Sequence, residues 1–262
     1  MSIFKGSATA IVTPFKDNKI DFDSLEKLVE WQISEGTAAI VAVGTTGEAP
    51  TLDIQEHLET IECVVQTAQK RVPVIGGCGS NDTRHATMMI GEVERLGCDA
   101  ALLVTPYYNK CSQRGLIQHY YAIADQTNLP MIVYSVPGRT GVNIEPKTVV
   151  ELAKHKNIVG IKEASGNIAQ VVEICRVVPE EFAVYSGNDD MVVPLLSVGG
   201  QGVISTVGNV APRDMQDMVM RYLAGDVEGA KKLQLAMKPL IDAIFADVNP
   251  IPVKYALALM GK

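Results

Sequence analysis

What most constrains the fold is an alternation that runs almost the length of the chain, in which short apolar runs take turns with stretches that carry the apolar spacing of amphipathic helices. Residues 7–14, 38–44, 72–76, 99–105, 130–135, the run inside 157–165, 182–186 and 202–206 read as eight strands. Between them, 21–35, 53–70, 82–96, 113–126, 145–155, 167–177 and 189–198 read as helices; the first has Asp21 or Asp23 as its N-cap and Leu25, Leu28, Val29 and Ile33 on its apolar face. Strands separated by single helices pair in parallel through right-handed crossovers, and eight such units close a (β/α)8 TIM barrel. An open doubly wound sheet is the alternative. It is disfavoured because no strand is followed by G-x-G-x-x-G or G-x-x-x-x-G-K-[ST], the fingerprints of nucleotide-binding sheets. Two further helices, 212–225 and 227–245, precede a break at Asn249-Pro250-Ile251-Pro252 and a last helix from Val253. The reading is therefore a catalytic α/β barrel over 1–225 and a small C-terminal helical extension over 226–262, packed on the barrel or on a neighbouring subunit.

Composition narrows the function classes. The 262 residues are 47% hydrophobic with a net charge of -7, and no Lys/Arg cluster marks a nucleic-acid or anionic-membrane surface. Met1 leads straight into an apolar strand with no secretory leader, and no apolar run is long enough to span a bilayer, so the expected location is the cytoplasm. Five scattered cysteines, an odd number without a C-x-x-C pair, suit reduced, mostly buried thiols. Four histidines, His57, His85, His119 and His155, show no metal-ligand spacing and are expected on helix surfaces.

Within 157–165, Ile158, Val159 and Ile161 form the pattern of a strand buried on both faces, and Lys162 ends it. An ammonium taken out of water costs several kcal/mol unless it is paired or deprotonated. Desolvation favours the neutral amine, which can attack a carbonyl to form a Schiff base. The competing readings are an ion pair with Glu163 and a side chain that reaches back to water.

Chemistry in such a barrel sits at the C-terminal ends of the strands. After the second strand comes Gly44-Thr45-Thr46-Gly47-Glu48, whose glycines permit tight turns and whose hydroxyls and N–H groups suit a carboxylate. Tyr107 and Tyr108 follow the fourth strand. Tyr134 ends the fifth, ahead of Pro137-Gly138-Arg139-Thr140-Gly141, a turn-rich loop that would carry Arg139 over the mouth. Each segment alone reads as an ordinary turn or a core tyrosine. An amine, phenols, a hydroxyl pair and an Arg converging on one barrel face are a catalytic constellation.

These motifs, with Gly160-Ile161-Lys162-Glu163-Ala164-Ser165, resemble the signatures of the pyruvate-dependent class I aldolase family, which contains dihydrodipicolinate synthase and N-acetylneuraminate lyase. The resemblance extends to Asn249-Pro250-Ile251-Pro252-Val253-Lys254 and so covers essentially the whole chain. Within the family, Pro-Gly-Arg-Thr-Gly after the tyrosine is similar to the synthase branch.

The resemblance implies condensation of pyruvate with L-aspartate 4-semialdehyde to 4-hydroxy-tetrahydrodipicolinate, without metal or cofactor. It makes Lys162 the Schiff-base lysine and Tyr134 the proton carrier, in a relay with Thr45 and with Tyr108, the latter supplied across a subunit interface of a homotetramer built from two dimers. Thr45 and Thr46 would hold the pyruvate carboxylate, the Ile204 backbone would line the site, and Arg139 would hold the semialdehyde carboxylate. A sialic acid or sugar-acid lyase of the same family, expected to lack Arg139, and a non-catalytic ligand-binding barrel are the rival readings. Lysine-sensitive members bind lysine behind the Gly-Thr-Thr-Gly-Glu turn through a histidine and a glutamate. This chain has Ile54 and His85 at those positions and keeps His57, Asn81 and Tyr107, so the resemblance implies insensitivity to lysine.

Overall fold

A computed structural model describes residues 2–262. Met1 lies outside them. In chain order the elements are β1 (Gly6–Ala10), the hairpin strands β2 (Phe15–Lys16) and β3 (Lys19–Ile20), α1 (Phe22–Ser34), β4 (Ala39–Ala42), α2 (Ile54–Ala68), β5 (Val74–Gly77), α3 (Thr83–Arg95), β6 (Ala100–Val104) and α4 (Gln113–Ala124). There follow β7 (Met131–Ser135), α5 (Pro137–Thr140), α6 (Pro146–Leu152), β8 (Ile158–Glu163), α7 (Ile168–Val177), β9 (Ala183–Ser186), α8 (Val192–Leu196) and β10 (Gly202–Ser205). The chain ends in α9 (Pro212–Leu223), α10 (Val227–Ile244) and α11 (Ile251–Leu259). Eight of the strands close a parallel barrel in the order β1-β10-β9-β8-β7-β6-β5-β4, which confirms the TIM barrel expected from the alternation.

Helix starts follow local chemistry. Side chains of Asp21, Asp53, Asp82, Ser112, Asn167 and Asp226 each accept a backbone N–H of the helix they precede, and Asp53 with Glu56 completes a capping box. Each such cap is worth about 1 kcal/mol. Helices α6 and α9 instead place a proline in the first turn, where a missing N–H costs nothing.

Side chains on alternate strand positions fill two separate cores, one between strands and helices and one inside the barrel. The interior core mixes small residues such as Ala8, Ala39, Ala100 and Ala183 with Ile132, Tyr134, Tyr185 and Ile204. Gly160 belongs to the same economy of space, since a Cβ there would lie 2.7 Å from the Ala183 carbonyl oxygen. A register shift between Met131 and Ile132 sets Ile132 opposite Gly160 and Tyr134 opposite Lys162. Lys162 also pairs in register with Tyr185 of β9. The amine therefore enters the barrel between two aromatic strand positions.

Several expectations need correction. The hairpin β2–β3 is unannounced by Asn-Gly or Asp-Gly; Asp17 and Asn18 supply the two left-handed residues of its tight turn, with φ of 52° and 59°. The expected helix 189–198 is a 3-10 turn (Asp189–Met191) followed by α8, because the Asp189 carboxylate is turned toward the amides of Thr206 and Val207. The last helix begins at Ile251, not Val253, since Pro252 falls in its first turn, where proline is tolerated. The 137–141 segment carries a one-turn helix. His119 is not a surface residue: it lies on the inner face of α4, 6% exposed, with Nδ1 2.8 Å from the Thr83 hydroxyl. Burial pushes its pKa down to about 4. His57 is half-buried as well and contacts the Gly77 carbonyl through Nε2. No described helix is long and apolar enough to cross a membrane.

Candidate active site

The C-terminal ends of the barrel strands gather most of the predicted residues. Lys162 is 6% exposed, and among the described residues it forms no ion pair. Its Nζ lies 4.3 Å from the centroid of the Tyr134 ring. Glu163 is not the partner. It points away from the barrel axis, where its carboxylate accepts from the Ser165 amide and Gln170 Nε2, and burial pushes its pKa up. Strand geometry explains this, since successive side chains leave opposite faces.

The Gly44–Glu48 turn is bracketed by two non-glycine residues in the left-handed region, Val43 at φ 52° and Glu48 at φ 58°. For a β-branched residue such as Val43 this conformation is strained. The glycines permit the tight turn expected of them by lacking a side chain: at Gly47 a Cβ would sit 3.0 Å from the Val43 Cα, so the turn closes only around a hydrogen. Thr13 donates to the Gly47 carbonyl at 2.7 Å and locks it. Among the described residues, the Thr45 and Thr46 amides donate to no protein group. Adjacent N–H groups without a protein acceptor are the kind of group that can accommodate an anion.

A cleft of about 820 Å³ opens over this face, lined by Thr45, Tyr107, Tyr134 and Arg139 among others. Lys162 is not in its lining, but Tyr134, over whose ring its amine lies, is. No hydrogen bond joins the Thr45 and Tyr134 hydroxyls among the described residues, so the relay is not closed in the isolated chain. Arg139 is exposed, and its guanidinium donates to the Asn249 carbonyl at 3.1 Å. Ile204, 1% exposed, faces the barrel interior. Tyr108 stays apart: it is 91% exposed, with φ 68°, and reaches no site within its own chain.

Four contributors were missed from sequence. A Cβ at Gly187 would lie 3.1 Å from Lys162 Cε, so its absence makes room for the lysine. Asp189 is fully enclosed behind the site, with Oδ2 accepting from the Thr206 and Val207 amides at 3.1 Å each and Oδ1 unpartnered. Burial pushes its carboxyl up, opposed by its hydrogen bonds and by the Lys162 charge. The Thr206 hydroxyl lies 3.2 Å from that of Thr46, to which Asn249 Nδ2 donates at 3.0 Å. For Asp189 and Thr206 the available signal was the run of polar residues just past two predicted strand ends, and for Asn249 its place in the 249–254 segment that shares the resemblance. Among the described residues no cluster of three His, Cys, Asp or Glu could hold a metal ion.

An amine held this way has imine chemistry open to it. A family model described as the dihydrodipicolinate synthetase family matches residues 3–262. The chain is 54% identical to the 4-hydroxy-tetrahydrodipicolinate synthase of Thermodesulfovibrio yellowstonii over 99% of its own length and 89% of that protein. Among solved structures, the chloride-inhibited dihydrodipicolinate synthase of Acinetobacter baumannii complexed with pyruvate superimposes with a TM-score of 0.96 at 48% identity, covering 98% of this chain and 89% of that one. A structure described as the first monomeric dihydrodipicolinate synthase variant gives 0.98 at 44% identity, with 99% and 88% covered. The chain belongs to the dihydrodipicolinate synthetase family.

Proposed function

We propose that this chain condenses pyruvate with L-aspartate 4-semialdehyde to give 4-hydroxy-tetrahydrodipicolinate, the lyase reaction for which its relatives are named. The carrying observation is the buried Lys162, set against Tyr134 with no carboxylate in contact. Its neutral amine attacks the keto carbon of pyruvate and passes one proton to the carbonyl oxygen; with a second proton delivered by Tyr134, that oxygen leaves as water and a protonated imine results. That imine withdraws electrons, a methyl proton is lost, and an enamine forms. The enamine carbon attacks the aldehyde carbon, whose oxygen takes up a proton. The amino group of the semialdehyde then attacks the imine carbon, closes the ring and expels the Lys162 amine.

Tyr134 carries protons in this scheme, with Thr45 and Tyr108 as relay partners. A phenol is a weak base at neutral pH, so a chain of hydroxyls supplies the path. The Thr45 and Thr46 amides and hydroxyls hold the pyruvate carboxylate, beside the Ile204 backbone. Arg139 holds the semialdehyde carboxylate, which separates this reading from the sugar-acid lyases. The division into a barrel over 1–225 and an extension over 226–262 belongs to the same proposal; Gly225, with φ 91°, and the capping Asp226 mark the junction. So does a cytoplasmic location, in keeping with five free cysteines.

Replacing Lys162 by Ala should lower turnover on the order of 10³-fold or more while the circular dichroism spectrum is kept. Lys162→Arg should be equally inactive, because a guanidinium does not lose its proton to form an imine. Borohydride reduction in the presence of pyruvate should attach the keto acid to the wild type and to neither variant; residual turnover in Lys162→Ala would sink the assignment.

For Arg139→Ala, kcat/KM for the semialdehyde should fall about 30-fold or more, the loss expected of a charged hydrogen-bonded pair, with pyruvate trapping preserved. Loss of trapping would give Arg139 a different role.

The exposed, left-handed Tyr108 supports assembly at least as a dimer that exchanges this residue between sites, paired again into a homotetramer. Sedimentation under assay conditions should show no active monomer. A fully active monomer would refute the shared site.

Regulation by lysine is not expected. Ile54 and His85 both line the cleft near His57, whose pKa burial lowers, with His85 acting in the same direction. A lysine ammonium entering there would meet imidazoles where it needs a carboxylate, a loss on the order of 30-fold in affinity or more. Activity should be unchanged in millimolar L-lysine; inhibition below 1 mM, with lysine in this pocket, would refute it.

A further inference from the structure

The connection between α10 and α11 descends into the mouth of the barrel at one side chain. Asn249, in that connection, is 7% exposed and touches both parts of the site assigned to carboxylates. Its side-chain Nδ2 donates to Thr46 Oγ1 at 3.0 Å, and its carbonyl accepts from Arg139 Nη2 at 3.1 Å. A few residues on, Lys254 donates to Glu48 Oε1 at 2.6 Å and to the Thr13 carbonyl at 2.9 Å, which ties the same turn from its other end. The segment is a strap over the Gly44–Glu48 turn.

The direction of the Asn249–Thr46 bond matters more than its presence. A hydroxyl has one proton to give and two lone pairs to receive with. When the amide donates to Thr46 Oγ1, that proton remains available for an acceptor further in: the Thr206 hydroxyl, 3.2 Å away, or an anionic oxygen placed in the site. The reverse orientation would consume the Thr46 proton and leave both N–H donors of the amide buried and unpaired. The observed one leaves a single unpartnered acceptor, Oδ1.

We infer that Asn249 is a positioning residue for the keto-acid carboxylate: its side-chain amide turns the Thr46 hydroxyl into a donor toward the site, while its backbone carbonyl orients Arg139. This rests on the reading of Thr45 and Thr46 as the pyruvate carboxylate site. An aspartate at 249 has the same size and leaves the backbone carbonyl in place, but it accepts the Thr46 proton and sets a negative charge beside the substrate carboxylate.

The test is the pyruvate concentration that half-saturates borohydride trapping in the full-length protein. Asn249→Asp should raise it about tenfold or more, the factor that corresponds to one charged hydrogen bond, and Asn249→Ala a few-fold, at roughly threefold. Trapping at saturating pyruvate should reach the wild-type level in both, a split that general loss of structure would not produce. Thr46→Val should abolish the effect of Asn249→Ala, since the two act through one bond. Half-saturation of Asn249→Asp at the wild-type concentration would overturn the inference. If that variant does not fold, additive shifts in the Asn249→Ala and Thr46→Val pair would overturn it instead. A wild-type protein that traps no pyruvate at all would refute the proposed reaction, a different failure from this one.

Discussion

Lys162 lies buried at the mouth of the barrel with no carboxylate touching it, and the proposed imine chemistry depends on that arrangement. A contacting acid would hold Lys162 as an ammonium, and an ammonium cannot attack a ketone. The protein places Lys162 between Tyr134 and Tyr185 in register, sets its amine over the Tyr134 ring, and leaves buried Asp189 accepting from two backbone amides. Glu163, adjacent in sequence, is removed from contention because the strand points it to the opposite face. Space for the lysine comes in part from Gly187, where a Cβ would lie 3.1 Å from Lys162 Cε.

Around that centre the binding groups sit on backbone under strain. Val43 and Glu48 hold left-handed conformations that cost free energy, of order 1–3 kcal/mol each, and persist only when their surroundings leave no alternative. Those surroundings are Thr13 on one side and the C-terminal strap on the other. The extension is therefore more than a closing layer. Gln234 of α10 adds a further tie, donating to the Asp189 carbonyl at 3.0 Å and accepting from the Val193 amide. The last helices touch the catalytic face at several separated points, which is how a segment distant in sequence bears on a turn near the N-terminus.

Legibility from sequence followed the range of the forces involved. Strand and helix positions were readable because hydrophobic periodicity and N-caps act over a few residues: Asp21, Asp53, Asp82 and Asn167 each stand where the helix begins. The Asp17–Asn18 hairpin was not readable, because its turn residues are tolerated in, not diagnostic of, the left-handed region. His119 looked like a surface residue, and only the packing of α4 against α3 buries it beside Thr83. Lys162, Tyr134, Thr45, Thr46 and Arg139 were legible as polar groups at strand ends. Their partners Gly187, Asp189, Thr206 and Asn249 were not, for the sequence separation between Thr46 and Asn249 is 203 residues.

By itself the sequence determined the barrel and the residues available at its mouth, since eight apolar runs with helical spacers leave few other ways to bury that surface. Only the tertiary structure decided which way each group faces. A one-residue register shift brings Lys162 level with Tyr134, strand pleating sends Glu163 outward, and closure of the chain lays Asn249 against Thr46. These are long-range choices, made by the packing of strands and helices against one another, and local sequence carries no record of them.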